Sequence, residues 1–212
     1  MIFLGIETSS SRCSVALGNE DGLLGLVEEN RPREHARILP GFVQRLFRET
    51  GIANRDIDAV AVSIGPGSFT GLRIGLSFAK GLAYSRQLPI VPVPTMEALI
   101  AGYDKPVKQS VCVLIHSHGN TFFCQQFKRR KKDLQAEEPV VVTSDIFDNC
   151  DCQTILHWNC EKFLEKTPGI AVAPSAWWIV ALATKHYDAW KVDDPFTLVP
   201  YYISPFVPGG KP

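Results

Sequence analysis

The chain has 212 residues, with 22 Lys or Arg against 22 Asp or Glu, so its formal net charge is zero. This balance predicts no global field that would recruit nucleic acid or a membrane surface. The length suffices for one large domain or two small ones, and no apolar run approaches the roughly 18 residues of a membrane-spanning helix.

The first residues, Met-Ile-Phe-Leu-Gly-Ile-Glu, have neither a basic start nor a small-residue cleavage site, so no signal peptide is predicted. Six cysteines are scattered, mostly within apolar runs, which is typical of reduced core thiols in the cytoplasm. Cys150 and Cys152 are too close for the usual zinc knuckle, and the histidines lack paired helical spacing. We therefore expect a cytoplasmic protein without a metal site.

The first half of the chain alternates strand and helix patterns. Residues 2–7, 13–18 and 23–29 alternate like strands around short polar turns, which predicts an antiparallel meander. Apolar spacing then predicts a helix that begins near Arg37, accommodates Pro40 and ends before Gly51. Further strands and helices follow in alternation, at 58–64, 72–86, 90–93 and 95–101. This order predicts a mixed β-sheet covered by helices.

The stretch 102–109 is the best candidate for a domain boundary, because Gly, Asp and Pro interrupt the periodic pattern there. We therefore divide the chain into an N-terminal lobe, 1–104, and a C-terminal lobe with its tail, 105–212. The second lobe is expected to contain strands at 110–115, 121–127, 138–143, 153–157 and 170–173. A helix over 175–190 and a proline-rich tail follow.

The run Ser63-Ile-Gly-Pro-Gly-Ser-Phe-Thr-Gly-Leu-Arg-Ile-Gly75 is the most informative motif of the chain. It predicts a strand, a glycine-rich turn and a helix whose first turn is capped by Ser68 or Thr70. Such a turn often binds phosphate in α/β proteins, but this one has neither the P-loop lysine nor a G-x-S-x-G elbow. Weak candidates for a phosphate site, here and in the turn after the first strand, are Thr8, Ser9, Ser10, Gly67 and Ser68.

The helix after this turn carries a stripe of small residues at a spacing of four: Gly71, Gly75, Ala79 and Ala83. Two helical glycines cost about 1 kcal/mol each relative to alanine, so a closely packed backbone is expected against the stripe. That backbone belongs either to this chain or to a second polypeptide, and we favour the second polypeptide. The residues expected to bind the partner are Gly71, Gly75, Phe78, Ala79, Leu82, Phe42 and Leu46.

The run Lys128-Arg-Arg-Lys-Lys132 is the strongest charge cluster of the sequence. It falls where a hairpin turn is expected, which favours a solvated loop. A contact with RNA phosphates is the alternative, because clustered cations act locally even in a neutral protein.

Several of these segments together resemble one family. They are Glu7-Thr-Ser-Ser10, Cys13-Ser-Val-Ala-Leu17, Arg33-Glu-His35 with Ile38-Leu-Pro40, and above all Gly65-Pro-Gly-Ser-Phe-Thr-Gly-Leu-Arg-Ile-Gly75. The resemblance is to the TsaB (YeaZ) family, a subunit of the bacterial machinery that makes threonylcarbamoyladenosine in tRNA. Many motif residues match the family over residues 1–100, and few match beyond residue 105.

This resemblance implies a two-lobed, actin-like α/β fold of the sugar kinase–Hsp70–actin type. It implies a non-catalytic subunit without catalytic residues, which pairs with the TsaD transferase through helices of the first lobe. A TsaE-type ATPase is expected to join, tRNA is expected to be reached through the complex, and the chain alone is expected to form a homodimer. The isolated chain is expected to hold no cofactor, and ATP or ADP is left open for the assembled complex.

The sequence departs from the family pattern at three places. Glu7 stands where relatives commonly have Asp, which weakens a magnesium role there. His116-Ser117-His118 replaces the usual Asp-Ala-Arg, and Tyr201-Tyr-Ile-Ser204 replaces a Tyr-Leu-Arg tail. The main alternative function is an ATP-dependent actin-fold kinase or transferase, but no catalytic acid and no second nucleotide loop are evident. Peptidase chemistry lacks its metal-binding histidine pair.

Overall fold

A computed structural model describes residues 1–107, 109–131, 133–144, 152–164 and 169–203. The chain forms two compact units, of which the first comprises Met1–Ala101 and Pro174–Tyr201 and the second is built on Gly102–Ala173. Within the described residues, no helix combines the length and hydropathy that would be needed to cross a membrane.

The first unit is a five-stranded sheet with the order β3-β2-β1-β4-β5. Its strands are β1 (Phe3–Glu7), β2 (Arg12–Asn19), β3 (Gly22–Asn30), β4 (Ala59–Gly65) and β5 (Ile90–Pro94). The first three strands pair antiparallel, whereas β4 runs parallel to both β1 and β5. The predicted meander and mixed sheet are therefore confirmed.

Helices cover both faces of this sheet, so its central strands are apolar on both sides. Leu4 and Ile6 of β1 face α1 (His35–Thr50) and α2 (Phe69–Arg86), whereas Phe3 faces the opposite cluster. The helices on that opposite face are α3 (Thr95–Ala101) and α4 (Ala176–Trp190). Alternation along the strand divides the core into two layers.

Helix α4 belongs to the first unit, although the sequence analysis assigned all of 105–212 to the second lobe. It lies close to β1, because a Cβ added to Gly5 would stand only 2.6 Å from both the Ala176 carbonyl oxygen and Val180 Cγ2. The sheet presents small side chains to this helix, including Ala16 and Ala61. Packing between a helix and a sheet that are far apart in the sequence leaves no local pattern. The sequence therefore contained no indication that α4 packs on the sheet of the first unit.

Helix α1 begins at His35, slightly before the predicted start, and ends with Gly51 in the left-handed conformation at φ 71°. Helix α2 begins at Phe69 rather than at Leu72, with Ser68 as its N-cap. After α4 the chain stays in this unit, where Val192 forms a bridge with Ile90 of β5.

The second unit is a six-stranded sheet with the order β11-β10-β6-β7-β8, in which β9 also pairs with β7. Its strands are β6 (Ser110–His118), β7 (Thr121–Arg130), β8 (Asp133–Ala136), β9 (Val140–Thr143), β10 (Thr154–Trp158) and β11 (Ile170–Ala171). The predicted hairpin of β6 and β7 is confirmed. Strand β8 was not predicted, and β7 continues to Arg130 instead of ending before the basic run. Its core includes Leu114, Phe122 and Ile155.

Candidate functional site

The glycine-rich loop joins β4 to α2 and is fixed at both ends by hydrogen bonds. The Gly65 N–H donates to Thr95 Oγ1 at 3.1 Å, and Gly65 adopts a positive φ of 115° that favours glycine. At the other end, Ser68 Oγ accepts from the Gly71 N–H at 3.2 Å. The predicted cap by Ser68 is therefore confirmed, whereas Thr70 lies exposed in the first turn of the helix.

This loop closes directly onto the turn that follows β1. The Ser68 N–H donates to the Ser9 carbonyl oxygen at 2.6 Å, and the Thr8 hydroxyl donates to the Gly71 carbonyl oxygen at 2.8 Å. A Cβ added to Gly67 would stand 2.5 Å from the Ser9 carbonyl oxygen. The two turns that were considered separately as phosphate candidates thus contact each other, and their closest groups are hydrogen-bonded across the junction.

Each phosphate candidate has a definite place in this junction. Thr8 and Ser9 are buried, and Ser10 is half-buried with its hydroxyl accepting from the Arg12 N–H at 3.1 Å. Gly67 lies against Ser9, and the Ser68 hydroxyl serves the helix cap. The hydroxyls of Thr8, Ser10 and Ser68 therefore have structural partners within the chain.

Glu7 ends β1 beneath this junction and is fully buried. Burial raises the pKa of its carboxyl above the ordinary value, and this effect outweighs the nearby polar groups of Ser9 and Ser63, which lower the pKa. Oε1 accepts from the Ser9 N–H at 2.5 Å. Burial therefore disfavours the charged form of this carboxyl, which is the form that binds Mg²⁺. Among the described residues, no group of three or more His, Cys, Asp or Glu is placed to hold a metal ion.

The stripe of small residues on α2 faces this chain and not an external partner, which corrects the sequence analysis. A Cβ on Gly71 would overlap the Thr8 carbonyl oxygen, and one on Gly75 would overlap Thr8 Oγ1. Ala79 and Ala83 are 0% and 1% exposed. The compensation for the two helical glycines is therefore the turn after β1, which packs against the helix backbone.

The remaining residues predicted to bind a partner divide into two groups. Phe42 and Leu46 are buried in the core formed by α1, α2 and the sheet, so they are not available on the surface. Phe78 and Leu82 are half-buried and pack against the edge of that core.

The exposed side of α2 has a second row of residues at a spacing of four, mostly small, that the sequence analysis missed. We call it the outer face of α2, and it consists of Arg73, Ser77, Gly81 and Ser85. Among the residues that the structure describes, a Cβ on Gly81 would meet no atom within 4 Å. The half-buried Phe78 and Leu82 flank this row. Gly81 was recognisable in the sequence as a helical glycine outside the four-residue stripe, but its exposure depends on the packing of the helix.

A polar network around Glu28 was also missed. Glu28 Oε2 accepts from the hydroxyls of Ser14 at 3.0 Å and Ser175 at 2.9 Å, while Arg12 pairs with Oε1. Ser14 Oγ in turn accepts from the Ala176 N–H at 2.9 Å. This network connects the first turn of α4 to β2 and β3 through hydrogen bonds. In the sequence, only the polar residues at inward-facing positions of these two strands indicated that such a network could form.

Comparisons with known proteins agree with this architecture. The solved structure titled YeaZ from Pseudomonas aeruginosa matches with a TM-score of 0.79, covering 95% of this chain and 99% of that chain at 25% identity. A second structure, an uncharacterized Pseudomonas aeruginosa protein with similarity to peptidase YEAZ, gives a TM-score of 0.79 at 24% identity and covers 96% of this chain and 99% of that one. The mixed sheets with their helices and the likeness to these proteins define a two-lobed actin-like fold.

The family model for TsaD, tRNA N6-adenosine threonylcarbamoyltransferase, matches residues 16–156. TsaB of Escherichia coli (strain K12) is 46% identical over 103 residues, which cover 48% of this chain and 44% of that protein. TsaB of Haemophilus influenzae is 33% identical over 133 residues, covering 62% and 56%. The chain thus spans about half the length of the curated relatives it matches. It belongs to the TsaD family, and its predicted membership of the TsaB (YeaZ) group is confirmed.

Proposed function

We propose that this chain is a non-catalytic, TsaB-type subunit of the machinery that forms threonylcarbamoyladenosine in tRNA, and that it acts by pairing with a TsaD-type transferase. The curated relatives named TsaB are described as threonylcarbamoyladenosine biosynthesis proteins. A TsaE-type ATPase completes the assembly, and tRNA is reached through the complex. The chain itself contributes a surface, and nucleotide binding is reserved for the assembled complex.

One observation carries the non-catalytic part of this proposal. The turn after β1 and the glycine-rich loop are hydrogen-bonded to each other, through Ser68 to Ser9 and through Thr8 to Gly71. Phosphate binding in such turns requires backbone N–H groups that point at the ligand. Here the Ser68 N–H is directed to Ser9, and Glu7 lies buried below with a raised pKa. This arrangement favours a role in folding over a role in nucleotide chemistry.

The pairing surface that we propose is the outer face of α2 together with Phe78 and Leu82. Gly81 and its small neighbours Ser77 and Ser85 permit close approach of a partner helix, because no atom of the described residues lies within 4 Å of a Cβ at Gly81. Half-buried aromatic and aliphatic side chains beside such a row supply apolar area. In the absence of a partner, a second copy of the chain covers the same face.

Gly81→Leu tests this surface. The substitution places a side chain in open space, so the isolated chain is expected to fold normally, but pairing with the TsaD-type protein of the same organism is expected to fall at least tenfold. The masses of the mixtures are measured by light scattering. Ala189→Leu is the matched control, because Ala189 is exposed on α4, on the other face of the sheet. Unchanged pairing of Gly81→Leu would contradict the proposed surface.

The alternative function, an ATP-dependent kinase or transferase, makes a different prediction for the isolated chain. Calorimetry with ATP and Mg²⁺ is expected to detect no binding in the micromolar range. Micromolar binding that is lost in Ser68→Ala would overturn the non-catalytic assignment, provided that the variant is folded.

A further inference from the structure

The second unit carries a basic hairpin end that the proposed function does not use. We call it the basic tip and define it as Lys128, Arg129 and Arg130 of β7 with Lys131 of the following turn. All four residues are exposed. In the sequence the run continues to Lys132, which lies outside the described residues.

The basic tip extends past the neighbouring strand. β6 begins at Ser110, which pairs with Lys128, so the residues after Lys128 have no β6 residue opposite them. On this side, the Arg129 N–H donates to the Gln109 carbonyl oxygen at 2.7 Å. On the other side the strand pairs with β8, with Arg130 opposite Asp133. The tip is therefore an ordered strand end and not the solvated loop that the sequence analysis favoured.

Two side chains of the basic tip, those of Lys128 and Arg129, have partners within the second unit. Arg129 Nε donates to the Val107 carbonyl oxygen at 2.7 Å, and Lys128 Nζ lies 2.6 Å from Glu137 Oε1. Arg130 and Lys131 form no ion pair with any residue in the described ranges, although Arg130 has Asp133 opposite in the register. The two outermost cations are thus presented to solvent on a fixed backbone.

This arrangement does not serve the stability of the hairpin. Lys131 has a φ of 57°, a conformation that tight hairpin turns usually give to Asn or Gly. A lysine there is strained by about 1 kcal/mol, and the adjacent like charges repel one another. Within the described ranges neither Arg130 nor Lys131 forms an ion pair, and Lys131 does not favour the turn, so an external anion is the simplest reason for these two charges.

We propose that the basic tip binds the RNA phosphate backbone, with Arg130 and Lys131 as the contacting residues. This inference rests on the proposed function, because tRNA is the polyanion that the assembly handles. Exposed cations on a strand end neutralise phosphates without reading bases, so the contact adds affinity and positions the RNA but does not select a sequence. An acidic protein surface would attract the same cations, and the test separates the two.

The test compares the wild-type chain with two double variants, each in complex with its TsaD-type partner. Arg130→Gln/Lys131→Gln removes the two outer cations. Arg55→Gln/Lys162→Gln is the control, because it removes two exposed cations elsewhere and changes the net charge equally. Binding of labelled tRNA is measured by fluorescence anisotropy between about 50 and 200 mM KCl. Light scattering records whether each complex forms.

The tip variant is expected to bind tRNA more weakly at low salt, and the slope of log affinity against log salt is expected to be shallower by about 1.5. The control variant is expected to retain the wild-type slope. Equal slopes for all three complexes would overturn the RNA contact while leaving the pairing proposal intact. Loss of complex mass in the tip variant alone would identify an acidic protein surface as the occupant instead. Failure of the wild-type chain to form a complex would refute the proposed function itself.

Discussion

The hydroxyl oxygen of Thr8 occupies the space that a side chain at Gly75 would need. Thr8 is buried and its hydroxyl donates to the Gly71 carbonyl oxygen at 2.8 Å, so it has little freedom to move aside. The backbone of α2 therefore lies directly on the turn after β1. This contact makes the glycines of the motif structural residues of the first unit.

Gly75→Ala is consequently expected to destabilise the chain by about 1–3 kcal/mol, the usual cost of overpacking a filled core. The added Cβ overlaps Thr8 Oγ1, and relief requires the buried hydroxyl to lose its partner. Urea denaturation of the variant measures the loss. Thr8→Ser in the Gly75→Ala background should recover little, because the hydroxyl remains. Wild-type stability in Gly75→Ala would contradict the packing described.

Gly81→Ala on the same helix is expected to have the opposite effect. Within the described part of the chain, no atom lies within 4 Å of a Cβ at this position, so the variant gains helix propensity without a clash. The free energy of unfolding should rise by up to about 1 kcal/mol. The same urea experiment measures it, and a loss of stability would show that Gly81 is required for the fold of the isolated chain.

Glu7→Gln tests the buried carboxyl through its pH dependence. Because the folded-state pKa of Glu7 is raised, the folded state binds this proton more tightly than the unfolded state does. The contribution of Glu7 is thus fully present below its unfolded pKa of about 4.3 and is lost as the pH rises through the folded pKa. Relative to Glu7→Gln, the wild-type chain should become progressively less stable over that window.

Urea titrations of both proteins at a series of pH values provide the measurement, and the difference between them removes the contribution of other carboxyls. A difference that stays constant with pH, or one that grows in favour of the wild type, would contradict the raised pKa of Glu7.

Cysteine reactivity is expected to follow burial. Burial raises the pKa of Cys13 to about 12 and that of Cys160 to about 12, with Glu7 and Glu161 respectively adding to the shift. Near pH 8 only about one thiol in ten thousand at these two sites is ionised, so alkylation of the folded chain should be slow there. Cys152 is partly exposed and should react sooner.

Peptide mapping after a short iodoacetamide treatment distinguishes these sites. The urea-unfolded chain is the control, and all six cysteines should be modified in it. Rapid labelling of Cys13 in the folded chain would indicate that the core of the first unit opens readily.

Local patterns predicted most of the elements correctly because each signal lies within a few residues of the structure it specifies. Gly51 ends α1 in the left-handed conformation, and Ser68 caps α2, as the motif indicated. Strand β8 escaped prediction because Asp133–Ala136 is short, mostly exposed and preceded by a charge run. Its strand character comes from pairing with β7.

The candidate site was predicted less well than the fold. The sequence analysis recognised the four-residue stripe on α2 and its need for a close neighbour, but it favoured a second polypeptide as that neighbour. Thr8 fills this role, 67 residues before Gly75 in the chain. A small-residue stripe specifies the distance of the surface it packs on, but not the molecule to which that surface belongs.

The amino-acid sequence by itself determined the family, the order of strands and helices over residues 1–101, and the capping residues Gly51 and Ser68, because periodicity and capping act over a few residues. Tertiary structure decided which face of α2 is covered, to which unit α4 belongs, and where Arg130 and Lys131 are presented. These outcomes depend on contacts between segments far apart in the chain, such as Gly5 with α4 and Thr8 with α2. Such contacts leave no periodic pattern from which they could be inferred.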